Sequence, residues 1–148
     1  MNKQTAIFKL SFIFLVGCSA TMPQLGVSTG QLLPCPKKPN CVNSQSSDPA
    51  YFIEPIQVTE TAKKTQKRLL QLLKNLKQAK IIVAQENYIR VEFTSKVFKF
   101  IDDVEFTISS TKAEKSTIDF RSASRIGYSD LGANRKRMEQ IRNKFIHD

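Results

Sequence analysis

Three short stretches in the middle of the chain alternate between apolar and polar side chains, and they limit the fold more than any other feature. In Tyr88–Thr94, Ile89, Val91 and Phe93 are separated by Arg90 and Glu92. In Val104–Ser110, Val104, Phe106 and Ile108 recur at every second position, and in Thr117–Arg121 Ile118 and Phe120 do the same. A period of two is that of a strand with one face inward and one face wet. Lys80–Gln85 reads as a short apolar strand before them, with Asn87 at the turn. Lys96–Ile101 reads as a further edge piece, Asp102-Asp103 as an interruption, and Lys112–Lys115 as a charged turn. Arg121 and Asp119 fall on the face opposite Ile118 and Phe120.

Two helical patterns flank this block. Thr59 or Thr61 is placed to cap a helix running to about Ala79, with Ala62, Leu69, Leu72, Leu73 and Leu76 on one side. Lys63, Lys67, Lys74 and Lys77 fall on the other, and seven cations and no acid lie between Thr61 and Lys80. That face reads as solvated, with contact to anionic head groups as the sharper alternative. A last helix is expected to begin near Ser129 or Asp130, with Leu131, Met138, Ile141 and Phe145 as its apolar stripe. Asn134 falls on the same stripe, where a buried amide needs partners, and the preceding connector backbone is the expected one. The result is a single α+β domain over residues 34–148. One long helix and a C-terminal helix pack on a largely antiparallel sheet, with an N-terminal disulfide loop.

The N-terminus points to export. Lys3 and Lys9 sit around the start of an apolar run, Ile7–Val16, that is too short to span a bilayer as a helix. It reads as the apolar part of a secretory signal over residues 1–17. It ends in Leu15-Val16-Gly17-Cys18, which resembles a bacterial lipobox with Cys18 as the lipidated residue. The bland reading is a short anchor or uncleaved signal with an incidental cysteine. Residues 18–33, rich in Ser, Thr, Gly, Pro and Gln, read as a flexible tether. Ser19 after the lipidated cysteine is, by the sorting rule of such lipoproteins, a sign of the outer membrane in a two-membrane bacterium. Of three cysteines, Cys35 and Cys41 then remain, and in an oxidising compartment they are expected to pair. With His147 the only histidine and no second cysteine pair, a zinc site is not expected.

The stretch Arg121–Arg142 carries more polar chemistry than a fold requires. Arg121, Ser122, Ser124, Arg125, Tyr128, Asp130, Asn134 and Arg135 lie within it, and Asp102 and Asp103 are the carboxylates expected to meet its arginines. Adjacent strand residues point to opposite faces, so at most one of the two aspartates shares a face with Arg121. Gly127 and Gly132 permit a close approach or positive φ around the turn.

Four motifs also carry a resemblance. They are Cys35-Pro36 with Pro39-Asn40-Cys41-Val42-Asn43-Ser44, Phe100-Ile101-Asp102-Asp103-Val104-Glu105-Phe106, Arg121 through Gly132, and Asn134-Arg135-Lys136-Arg137. Together they resemble the bacterial Domain of Unknown Function 1499 family, over roughly Pro34–Phe145. The resemblance implies a small exported protein, lipid-anchored or membrane-associated, and carries no biochemical activity with it; some relatives occur beside chloroplast thylakoids. Asn43 stands where serine is commoner.

Three functions remain open on the residues. The first, and the one adopted, is a non-catalytic envelope binding module for an anionic or lipid ligand, using the arginines and the N–H groups of the last helix start. The second is a structural protein docking an envelope partner, which requires an exposed apolar patch. The third is a hydrolase-like enzyme using Asp102 or Asp103. It lacks a histidine base, a nucleophile motif and a phosphate loop. No cofactor is expected. The formal charge of +10 suits an acidic partner. Nucleic acid is not expected, because the chain reads as exported and its basic helix lacks interleaved aromatics.

Overall fold

A computed structural model describes residues 23–112 and 114–147 of the chain. The residues read as a secretory signal, Cys18 and Ser19 lie outside the described residues. The chain runs β1 (Val27–Ser28), β2 (Gln31–Leu32), β3 (Cys41–Asn43), β4 (Ile56–Val58), α1 (Ala62–Lys74), β5 (Ala79–Gln85), β6 (Tyr88–Thr94), β7 (Ile101–Lys112), β8 (Lys115–Ser124) and α2 (Ala133–His147). β1 and β2 form a small hairpin, and the other six strands form one antiparallel sheet in the order β3-β8-β7-β6-β5. β4 shares the outer edge of β8 with β3, pairing with Ser116–Ile118 while β3 pairs with Arg121–Ala123. The α+β architecture, the antiparallel sheet and the Cys35–Cys41 disulfide agree with the sequence.

β6 has the bounds its alternation predicts, and Asn87 makes the preceding turn with φ of 64°. Ile89, Val91, Phe93, Val104, Phe106, Ile108, Ile118 and Phe120 line one face of the sheet. Leu69, Leu73, Met138, Ile141 and Phe145 close the core over them. Truncating a buried phenylalanine such as Phe106 costs about 3–5 kcal/mol by lost burial and the cavity left behind. Arg68 ties the two helices together: its guanidinium lies over the Phe145 ring and donates to the Phe145 carbonyl. All of these core residues, and the β1–β2 hairpin, lie within residues 27–145.

Several expectations are corrected. Asp102-Asp103 do not interrupt a strand; both lie inside β7, because each carboxylate finds an arginine on its own face of the sheet. The presumed connector Ser122-Ala123-Ser124 is the end of β8, paired to β7 on one side and β3 on the other. α1 ends at Lys74 rather than near Ala79, since Asn75 caps it and Leu76 and Ala79 form the turn into β5. Its N-cap is Thr61, whose side chain accepts from the Lys64 N–H. α2 starts at Ala133, a turn later than expected. Leu131 and Gly132 take positive φ before it, and Leu131 is 97% exposed instead of joining the stripe. Lys96–Phe100 is an exposed turn, not an edge strand. The last part of the stretch read as tether is the β1–β2 hairpin, held by Leu32 N–H on Gln45 and by Asn43 on the Leu33 carbonyl.

Candidate functional site

The alternation that builds the sheet also sorts its charges. On β7, Asp102 points to the helix side with Val104 and Phe106, while Asp103 points to the other side with Glu105. The polar residues expected to converge therefore form two networks on opposite faces of one sheet.

The network on the helix side is centred on Asn134, which is fully buried. Its amide donates to Asp130, to the Ser124 hydroxyl at 3.0 Å and to the Asn40 carbonyl at 3.1 Å. Its carbonyl accepts from the Ser122 hydroxyl and from Arg137. The partners are thus side chains of β8, Asp130 and Arg137 and the backbone of the disulfide loop, not the expected connector backbone. Arg137 also donates to Asp102 and lies over the Phe93 ring at 4.9 Å. Asp130 accepts from the Gly132 and Asn134 N–H groups. The helix start proposed for an anion is therefore already occupied by the chain's own carboxylate.

The network on the opposite face is built from Arg90, Glu92, Asp103, Glu105, Arg121 and Arg125. The alternation marked Arg90 and Glu92 as wet, yet both are buried, because paired charges from β6, β7 and β8 meet there. Asp103 accepts from Arg90 at 2.9 Å and from Arg125 at 2.7 Å. Burial alone would raise the Asp103 carboxyl, but those two guanidinium groups outweigh it and hold it below the ordinary range. Arg125 also donates to Glu92, and its hydrogen bonds to Asp103 raise its own pKa further. Glu105 is fully buried, with Arg121 at 3.5 Å and the Tyr88 hydroxyl at 2.8 Å. Here burial wins: the Glu105 carboxyl is pushed up, despite Tyr88, Arg121 and the Gly26 N–H, and the Arg121 guanidinium is pushed down. Burial, then the bond to Glu105, likewise raises Tyr88.

Of the candidates read from the sequence, Asp102, Ser122, Ser124, Asp130 and Asn134 thus share the helix-side network, and Asp103, Arg121 and Arg125 the opposite one. Tyr128 is 71% exposed and joins neither. Arg135 is exposed and reaches only the Ala50 carbonyl, at 3.5 Å. An anion site on Arg121 and Arg125 requires guanidinium groups left free of carboxylates, and both are taken. Among the described residues, no group of three or more His, Cys, Asp and Glu is arranged to hold a metal ion.

One opening is a groove of about 390 Å³ between the end of α1, β6 and α2. Leu76, Phe93 and Ile141 form its apolar floor. Lys77, Lys96, Lys136 and Lys144 stand around it with Arg137, and no carboxylate lines it. Among the described residues, none of the four lysines is in an ion pair. Sequence reasoning missed this site. Lys77 falls on the face of the first helical pattern that the sequence reads as solvated, and Lys136 and Lys144 lie eight residues apart on a different helix. Only the crossing of α1 and α2 over β6 brings them together.

This arrangement defines a small α+β domain whose buried charges are paired with one another and whose surface carries a basic groove. Residues 31–145 match the family described as "Protein of unknown function (DUF1499)", and the chain belongs to that family. No curated protein matches it at a significant level.

Proposed function

We propose that the protein is a non-catalytic binding module of the cell envelope, held by a lipid at Cys18, whose groove takes an anionic amphiphile. The observation that carries this is the pairing of four lysines free of carboxylate partners with an apolar floor of Leu76, Phe93 and Ile141. A ligand with a negative head and an aliphatic body matches both halves. The apolar body contributes by leaving water, and the head gains from cations that no protein carboxylate has already neutralised. Catalysis has no support in the geometry: Asp102 and Asp103 are each bound by arginine, and neither lines the groove. A protein of the outer membrane facing the periplasm, as Ser19 suggests, would meet such molecules as lipids or their breakdown products.

The test is calorimetric titration of oxidised residues 23–148 with a monomeric anionic lysophospholipid, set against its zwitterionic counterpart. Binding of the anionic form alone is expected, weakening with salt, and a ligand at a hundred times its Kd adds about 2.7 kcal/mol of stability. Lys136→Glu with Lys144→Glu abolishes it while leaving the melting temperature in place. Equal binding of both lysophospholipids, or none of either, overturns the reading. An exposed apolar patch, which a docking protein requires, lies beside the groove at Val97, Phe98 and Phe100.

A further inference from the structure

The six residues joining β6 to β7, Ser95-Lys96-Val97-Phe98-Lys99-Phe100, contain no acid and place three large apolar side chains in water. Val97 is 77% exposed, Phe98 73% and Phe100 46%. Phe93, Phe106, Phe120 and Phe145, by contrast, are almost wholly buried, so the fold does have room for phenylalanine in its core. The loop is held in shape: the Ser95 N–H donates to the Phe100 carbonyl at 2.8 Å, and the Phe100 N–H donates to the Ser95 hydroxyl at 2.9 Å. The Phe98 and Phe100 rings stack with centroids 5.4 Å apart, forming one apolar tip. Lys96 and Lys99 flank that tip, and Lys96 also belongs to the groove, so tip and groove mouth form one continuous surface.

We propose that this loop docks the protein on an anionic bilayer. Val97, Phe98 and Phe100 enter the boundary between head groups and acyl chains, and Lys96 and Lys99 remain at the level of the phosphates. Aromatic and aliphatic side chains flanked by lysines are what an interfacial lipid surface accepts. Charge decides against a second copy of this chain as the occupant, since apposed tips would bring Lys96 and Lys99 against their own equivalents. The inference goes beyond the ligand reading and rests on the loop alone; docking would additionally face the groove mouth toward the lipid from which its ligand comes.

The chain has no tryptophan, so Phe98→Trp in oxidised residues 23–148 is a clean reporter. The probes are vesicles of phosphatidylcholine alone and vesicles with about a quarter phosphatidylglycerol. The expected result is a blue shift of the tryptophan emission and its quenching by bromine-labelled acyl chains, on the anionic vesicles only. In co-sedimentation with the tryptophan-free protein, Phe98→Ser lowers affinity for those vesicles about tenfold with an unchanged melting temperature. Lys96→Glu with Lys99→Glu removes binding at low salt. No blue shift, an undiminished affinity of Phe98→Ser, or a tryptophan shift that follows protein concentration without lipid overturns the proposal, the last result in favour of self-association. Retention of lysophospholipid binding by Phe98→Ser separates the tip from the groove. A blue shift in a protein that binds no lysophospholipid leaves the tip standing and removes the groove reading.

Discussion

The protein concentrates positive charge in two places and treats it oppositely. On the sheet face away from the helices, Arg90 and Arg121 are buried and Arg125 half-buried, and each is met by Asp103, Glu105 or Glu92. In the groove, Lys77, Lys96, Lys136 and Lys144 stand beside an apolar floor with no carboxylate. The planar guanidinium suits a fixed buried partner, whereas a lysine ammonium on a flexible stem keeps its hydration until something anionic arrives. Density of charge in the sequence therefore does not mark a ligand site; charge left unbalanced by the fold does.

The largest loss of stability is expected at Glu105. Glu105→Ala leaves Arg121 buried without a counter-charge, and urea denaturation is expected to show a loss of about 3–5 kcal/mol. Replacing Glu105 and Arg121 together by leucine and methionine should recover most of that loss, since the cost lies in the unpaired charge rather than in the pair's own strength. Full destabilisation in the double variant as well would mean that the pair itself holds the sheet.

Asn134 sharpens the contrast on the helix side. Asn134→Leu strands the Ser122 and Ser124 hydroxyls and takes one of its two donors from the Asn40 carbonyl, and about 1–3 kcal/mol of stability is expected to go. Loss of less than that would mean that water replaces the amide. The disulfide loop gives a local readout, because the Asn40 carbonyl also accepts from the Ser124 N–H. Hydrogen exchange at Ser124 should therefore quicken in this variant more than at Phe106 in the sheet centre.

The two carboxylates of the buried network pull in opposite directions with pH. Asp103 is depressed in the fold, so its contribution is present above the ordinary aspartate range, near pH ~4, and is lost as the pH falls through its folded value. Glu105 is raised, so its contribution is complete below the ordinary glutamate range and is lost as the pH rises through its folded value. Mild acidification from neutrality should therefore stabilise the domain, and strong acidification should destabilise it. Urea midpoints across pH should show the first limb flattened in Glu105→Gln and the second retained. A variant keeping both limbs would remove Glu105 as the cause.

The smallest effect belongs to the groove. Lys77→Ala, Lys136→Ala and Lys144→Ala are each expected to change stability by no more than about 0.5 kcal/mol, as for ordinary surface positions. Their effect should appear only in amphiphile binding and its salt dependence. A large stability loss from any one of them would reveal a partner within the fold and collapse the contrast with the arginines.

Much of this molecule is decided locally and is legible in the chain. The period-2 runs specify β6 and the inner halves of β7 and β8, because a strand with one buried face must repeat every second residue. Thr61 is a readable cap, Asn87 a readable turn, and Cys35 with Cys41 a readable pair. The hidden features are those that depend on what lies across the sheet. Arg90 and Glu92 look solvent-facing until Asp103 and Arg125 are set beside them by the β6–β7–β8 register. Asp102-Asp103 looks like an interruption until each aspartate finds its arginine on its own side. Leu131 looks like part of a stripe, but positive φ at Leu131 and Gly132 delays the helix. The lysine groove has no local signature at all. Periodicity reports which side of its own element a residue occupies; only the packing of α1 and α2 over β6 decides which charges meet a counter-charge and which are left facing an opening.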